Sequence, residues 1–324
     1  MIGQRIVGKK GYEFIVIREI GRGGFGVVYL VVNGNGQDYA MKLLAPVLDP
    51  SVRLSFEQEL LSIEGLAHEN LLSIVDYGTC PVGNQQGLFA ITEYCPDGDY
   101  RKTLQDRTGQ SQDIGQVVGE FRQILSGLAL LHTRIVHRDM KPENVLVAGG
   151  RLKIGDFGLA KFVDEATRTR TFKGAGTPRY MAPEVWLGQH ATLAADLYAV
   201  CVMLFEALSG RPPFLAADAN GLRDMHCYSP APRVKSINSA VSDLVDGVIK
   251  KLLAKDPRDR YQAAGEVIDA LAAVPPPGDA AISLLAARMR QHHDAAEANV
   301  WSCNDGGRPR RTRWRGIGTR NRRS

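Results

Sequence analysis

Nowhere does this 324-residue chain carry an apolar run long enough to cross a bilayer. The longest uncharged one, Leu197 to Phe205, has nine residues, against the roughly 20 that a spanning helix needs. No transmembrane segment is therefore predicted. The N-terminus, Met1-Ile2-Gly3-Gln4-Arg5, lacks the basic patch, apolar stretch and small-residue cleavage site of a secretory signal, so the expected location is the cytoplasm. Cysteine is scarce, and the five present (Cys80, Cys95, Cys201, Cys227, Cys303) are odd in number, scattered and without metal-ligand spacing. That pattern argues for reduced thiols in a reducing compartment. Acidic residues are missing from residues 306–324, which hold eight arginines. The formal net charge of +5 thus belongs to this tail, and without its eight charges the chain stands at −3. No internal repeat is present.

What is there has the composition of an ordinary globular protein, 44% hydrophobic and 23% charged, over a length sufficient for two lobes. Residues 12–44 read as three antiparallel strands. Glu13 to Ile20 is apolar-rich and stops at glycines, Phe25 to Val32 is strand-like, and Asn33-Gly34-Asn35-Gly36 is a hairpin turn before Asp38 to Leu44. Ser51 to Gly65 carries Phe56, Leu60 and Ile63 at helical spacing, and strands are expected at Leu71–Tyr77 and Leu88–Thr92. After Tyr94 the period changes. Ile114, Val117, Val118, Phe121, Ile124, Leu125, Leu128 and Leu131 recur every three or four positions, which predicts a helix over Asp113 to Thr133 with one buried stripe. Further helices are expected at Leu193–Ser209, Ala240–Ala254 and Tyr261–Ala272. Pro275-Pro276-Pro277-Gly278 ends the periodic region, so the folded unit should close near Val274. The expected class is α+β, a small β-rich lobe with one main helix followed by a larger, mostly helical lobe.

Several short motifs remain. Gly21-Arg22-Gly23-Gly24-Phe25-Gly26 joins two expected strands, and its missing side chains let backbone N–H groups approach phosphates. A dinucleotide-binding turn would open a helix instead, and the strand that follows here argues against it. Lys42 falls on the third strand. Downstream come His137-Arg138-Asp139-Met140-Lys141-Pro142-Glu143-Asn144, then Asp156-Phe157-Gly158 twelve residues past its end, then Ala182-Pro183-Glu184.

In order and separation these motifs resemble those of the protein kinase family. The segment around Pro212-Pro213-Phe214 looks most like bacterial relatives of the eukaryotic serine/threonine kinases. The resemblance covers residues 12–273. It implies a bilobal kinase fold over 12–274, with a first lobe at about 12–92, a hinge at 93–97, a second lobe at 98–274, and a Pro-rich linker and Arg-rich tail over 275–324. The implied activity is ATP-dependent phosphorylation of serine/threonine hydroxyls on protein substrates in signal transduction. Asp139 would accept the hydroxyl proton and Lys141 would offer positive charge to the moving phosphoryl group. Asn144 and Asp156 would hold Mg²⁺, with Mn²⁺ as a substitute. Lys42 would reach the α- and β-phosphates, held by a carboxylate of the first helix; Glu57 and Glu59 are both available, and the family spacing to His68 favours Glu59. Ile20, Gly21, Arg22, Gly23, Gly24, Phe25 and Gly26 would cover the nucleotide, and Val28, Ala40 and Leu146 would clamp its base. The purine would bond the backbone at Glu93 and Cys95, and the small Thr92 would leave the deeper pocket open.

The same resemblance assigns supporting parts. His137 props the loop and Asp196 caps its backbone from below, Thr177 bonds near Asp139 and Lys141, Phe157 orients Asp156, and Glu184 pairs with Arg260. Arg138 precedes the base, as in relatives switched on by phosphorylation, so Thr169 and Thr171 are predicted autophosphorylation sites. Lys141 and the stretch Gly176 to Glu184 point to serine/threonine rather than tyrosine acceptors. Arg308 to Arg323 is either an arm for an anionic partner, such as nucleic acid or an acidic surface, or a solvated tail without a ligand. A pseudokinase would normally show a broken Lys42, Asp139 or Asp156, and none is broken. A small-molecule kinase is disfavoured by the peptide-platform look of Thr177 to Glu184.

Overall fold

The computed structural model of the chain describes residues 1–23, 26–44, 50–110, 112–156 and 179–274. Gly24, Phe25, Phe157, Thr169, Thr171, Thr177 and the 308–323 tail lie outside the described residues. Six strands form one antiparallel sheet: β1 (Arg5–Val7), β2 (Glu13–Gly23), β3 (Gly26–Asn33), β4 (Asp38–Leu44), β5 (Ile74–Val82) and β6 (Gln85–Glu93), in the spatial order β1-β2-β3-β4-β6-β5. Strand β1 lies upstream of residue 12, and three residues are too few to show a period in sequence. The β3–β4 turn closes on Asn33, whose Oδ1 accepts the N–H groups of Asn35 and Gln37 at 3.0 Å each. The chain before β2 is fastened to β5 by Asp76. Its buried carboxylate accepts the backbone N–H groups of Lys10 at 3.0 Å and Tyr12 at 3.3 Å. Gly8 permits this approach, since a Cβ there would stand 2.0 Å from Asp76 Oδ2.

Helix α1 (Pro50–Ile63) lies between β4 and β5 in the chain and buries Phe56, Leu60 and Ile63. The second lobe follows β6: α2 (Tyr100–Asp106), α3 (Ile114–Leu131), the antiparallel hairpin β7 (Val145–Ala148) and β8 (Arg151–Ile154), then α4 (Pro183–Trp186), α5 (Leu193–Ser209), α6 (Ala219–Tyr228), α7 (Asp243–Leu252) and α8 (Ala264–Ala270). Helix α3 starts where its sequence says it should. Asp113 caps it by accepting Gln116 N–H at 3.0 Å, and the stripe from Val117 to Leu131 is buried. Helix α5 is different, because every residue from Ala194 to Leu208 is buried. A helix buried on all sides belongs in the middle of a lobe. It stops at Gly210, whose left-handed backbone (φ 77°) returns its N–H to Glu206 O at 2.8 Å.

Among the described residues two apolar clusters result. A small one under the sheet holds Phe14, Val16, Val31, Met41, Phe89 and Ile91. A large one runs without interruption from α1 through α3 and α5 to α8, joining the two lobes. Among the described residues no helix is long and apolar enough to cross a membrane.

Candidate active site

Strand register brings the expected nucleotide residues onto one sheet face. In β4 the buried Met41 and Leu43 point into the small cluster, so Ala40 and Lys42 face the other way. Val28 lies opposite Lys42, and Lys42 opposite Ala90; in the next rank Leu30 lies opposite Ala40, and Ala40 opposite Thr92. Gly21 pairs with Val28. Ile20, Val28, Ala40, Lys42, Thr92 and Leu146 are all half-buried, while Arg22 and Gly23 are exposed. At the end of β6 the Thr92 hydroxyl donates to Glu93 O at 3.2 Å, and the Glu93 side chain takes Ser73 N–H and Lys153 Nζ. The buried Cys95 beside it has its thiol pushed up to about 12 by burial and by the charge of Glu93, which leaves it a weak nucleophile.

The loop between α3 and β7 is held at each step. His137 is fully buried; its Nδ1 faces the Asp139 N–H at 3.2 Å and its Nε2 faces Gly155 O at 2.9 Å. A backbone N–H can only donate and a carbonyl only accept, so His137 is the neutral tautomer with its proton on Nε2. Asp196, two per cent exposed at the head of α5, accepts His137 N–H at 2.7 Å and Arg138 N–H at 2.8 Å. Arg138 stands at φ 70°, a left-handed conformation costing roughly 1–2 kcal/mol for a residue with a Cβ. Asp196 thus secures strained backbone one residue before Asp139.

Asp139 Oδ2 accepts from Lys141 Nζ at 2.6 Å and from Asn144 Nδ2 at 3.0 Å, and the same Nδ2 donates to Asp139 O at 2.7 Å. Asn144 also holds Gly155 N–H on its backbone carbonyl at 2.8 Å, which joins this loop to the chain entering Asp156. Asp156 is left-handed too, at φ 56°, and its Oδ2 lies 2.5 Å from Lys42 Nζ. Five residues, the outermost 114 positions apart, are therefore gathered where the two lobes meet. Of the two glutamates offered for Lys42, Glu57 takes Lys9 Nζ at 2.8 Å, and Glu59 lies half-buried two residues on in α1. The contact of Lys42 with Asp156 was not anticipated, because nothing local in either segment refers to the other.

Below the loop, Arg260 and Glu184 form a bidentate pair at 2.8 Å per bond, with both side chains almost wholly buried. The remaining Arg260 donors reach the carbonyls of Ala254, Ala194 and Lys255. A buried charge so completely partnered is compatible with folding. Sequence reasoning missed Arg101. Its guanidinium meets Glu143 at 2.9 Å, Glu206 at 2.8 Å and the Tyr180 hydroxyl.

A cleft-facing lysine, a carboxylate engaged by lysine and amide, and a second carboxylate on a strained backbone can bind a polyphosphate and orient a hydroxyl toward it. The protein kinase domain model matches residues 14–269. The chain belongs to the protein kinase domain family. This kinase domain is 35% identical over 277 residues to the serine/threonine-protein kinase Pkn1 of Myxococcus xanthus, covering 82% of the chain and 39% of that protein. It is 32% identical over 272 residues to the serine/threonine-protein kinase PrkC of Bacillus subtilis, covering 82% of the chain and 40% of that protein. The chain thus spans about two-fifths of the length of these relatives. The crystallised kinase domain of PknI from Mycobacterium tuberculosis superposes with a TM-score of 0.63 at 25% identity, covering 82% of this chain and 97% of that one. The fold is the kinase fold, and the α+β class read from the sequence holds.

Proposed function

We propose that residues 12–274 form an active ATP-dependent protein kinase that phosphorylates serine and threonine hydroxyls of protein substrates in signal transduction. The observation that carries this reading is the joint placement of Lys42, Asp139, Lys141, Asn144 and Asp156, with Lys42 on Asp156 and Lys141 and Asn144 on Asp139. ATP lies under β2 and β3, its purine against Val28, Ala40 and Leu146 and bonded to the backbone at Glu93 and Cys95. Lys42 holds the α- and β-phosphates once released from Asp156, and Glu59 steadies it.

The donor set suits a hard cation. Asn144 spends its amide nitrogen on Asp139, so its Oδ1 is the atom left for a metal, and Asp156 supplies carboxylate oxygen. Mg²⁺ prefers such oxygens, and Mn²⁺ accepts them. Held by Asn144 Oδ1 and the Asp156 carboxylate, such an ion would supply positive charge to offset that of the phosphates. Asp139 orients the substrate hydroxyl and takes its proton as the oxygen attacks the γ-phosphorus and the bond to ADP breaks. Lys141 faces the charge that spreads over the transferred group. Thr169 and Thr171 are proposed autophosphorylation sites, whose added charge Arg138 can meet through a forked guanidinium.

An array of peptides differing only in a Ser, Thr or Tyr acceptor, incubated with the chain, ATP and Mg²⁺, tests the reading. Transfer to Ser and Thr is the expected result; transfer confined to Tyr, or to no peptide and no protein despite ATP binding, contradicts it.

A further inference from the structure

Helix α5 is the most deeply buried element of the second lobe, and it carries two acidic side chains ten residues apart, Asp196 and Glu206. Asp196 holds the start of the catalytic loop through the backbone N–H groups of His137 and Arg138. Glu206 lies about 15 Å further along a helix of ordinary rise. Its side-chain hydrogen bonds go to Arg101 and Tyr180. Glu206 Oε1 accepts Arg101 Nη1 at 2.8 Å, and Arg101 Nε in turn donates to Glu143 Oε1 at 2.9 Å. Glu143 sits in the short 3₁₀ turn Pro142–Asn144 that closes the loop. The loop is therefore tied to one rigid helix at both ends, directly at 137–138 and through Arg101 at 143, with Asp139 and Lys141 between the ties.

Arg101 is itself well fixed. It occupies the second position of α2, whose cap Asp99 accepts Lys102 N–H at 3.0 Å, and Gly98 O accepts Val147 N–H from β7 at 2.9 Å. Its neighbour Tyr100 is fully buried with its hydroxyl on Glu120 at 2.7 Å. The third branch of the guanidinium reaches the Tyr180 hydroxyl, which donates to Glu206 Oε2 at 2.5 Å. Tyr180 comes two residues before Ala182-Pro183-Glu184, so the same arginine also contacts the chain that enters α4.

We propose that Arg101 is a positioning residue for phosphoryl transfer, fixing the far end of the catalytic loop by joining Glu143 to Glu206 and Tyr180. The inference rests on the kinase reading above. Planar, forked geometry explains the choice of arginine, since Glu143, Glu206 and Tyr180 each meet a different guanidinium nitrogen, an arrangement that a single ammonium nitrogen does not offer.

The test is a double-mutant cycle on the full chain with Arg101→Gln, Glu143→Gln and both together, measuring kcat, KM for ATP, ATP binding and thermal unfolding. Each single variant is expected to lower kcat on the order of ten- to a hundredfold, the range expected for a misplaced catalytic group. ATP affinity and binding stoichiometry should stay at the wild-type level. The double variant should fall no lower than Arg101→Gln, because both changes cut one tie. Losses that multiply, or a Glu143→Gln variant with wild-type kcat, overturn the proposal. Should Arg101→Gln fail to fold, Glu143→Gln decides alone, since Glu143 is 44% exposed and its substitution keeps the side-chain shape. Wild type and Asp139→Asn run in parallel. A wild type that transfers nothing defeats the kinase reading, whereas an active wild type with an unaffected Glu143→Gln defeats only the role of Arg101.

Discussion

Asp196 Oδ1 accepts the Arg138 N–H at 2.8 Å, and Arg138 is the residue whose backbone stands at φ 70°. A carboxylate from the centre of the helical lobe thus supports strained backbone one residue before the proposed base. Asp196→Ala removes the acceptor of two backbone donors at once, each costing about 1–3 kcal/mol when left unsatisfied. The expected outcome is a destabilised chain with kcat lowered more than ATP affinity, read by denaturant unfolding and steady-state kinetics.

The buried pair of Arg260 and Glu184 gives a second outcome. Glu184→Gln or Arg260→Met alone leaves the other charge buried, and each should cost roughly 3–5 kcal/mol. Replacing both by apolar residues of similar volume should cost less than either single change. Urea midpoints of the three variants check this.

Acid stability should depend on His226. It is fully buried, with Nδ1 2.8 Å from the Tyr198 hydroxyl and Lys255 Nζ on its own carbonyl at 2.6 Å. Burial first, and then the Lys255 charge, push its pKa down from 6.5 to about 3. The unfolded chain therefore binds a proton that the folded chain refuses between these values. Stability should fall as pH drops from about 6.5 toward 3. Lys255, lowered by burial from 10.5 to about 8, should add stability as pH rises from about 8 to 10.5. Unfolding free energy against pH for wild type and His226→Gln checks the first window, where the variant should show the shallower slope.

The proposed metal donors, Asn144 and Asp156, give a further outcome. EDTA should abolish transfer and added Mg²⁺ restore it. Asp156→Asn exchanges a charged ligand for a neutral one and frees Lys42 from its 2.5 Å contact. The variant should need more Mg²⁺ for half-maximal rate, measured by Mg²⁺ titration at fixed ATP.

How much of this the sequence disclosed depended on how local each signal was. The α3 stripe and the Asn33 turn are periodic or turn features within a few residues, and the structure has them at the expected places. Asp196 and the pair of Glu184 with Arg260 were legible only through family resemblance, since the paired residues are 76 positions apart. Strand β1, with three residues, and α2, with seven, are too short to show a period. Arg101 was invisible for another reason. An arginine on a short helix looks solvated, and its acceptors come from positions 143, 180 and 206, each supplied by a different stretch of chain. The contact of Lys42 with Asp156 likewise depends on how two lobes meet, which no local pattern encodes.

The most direct test of the central claim compares wild type with Asp139→Asn after incubation with ATP, Mg²⁺ and casein, followed by mass spectrometry of casein and of the chain's own peptides over residues 161–179. Phosphate on serine or threonine with wild type, a loss of two to four orders of magnitude in rate with Asp139→Asn, and equal ATP binding by both are the results predicted. Equal phosphate transfer by the two proteins would contradict the role of Asp139, and ATP binding by wild type without transfer to casein, to itself or to any Ser/Thr peptide would contradict the kinase activity.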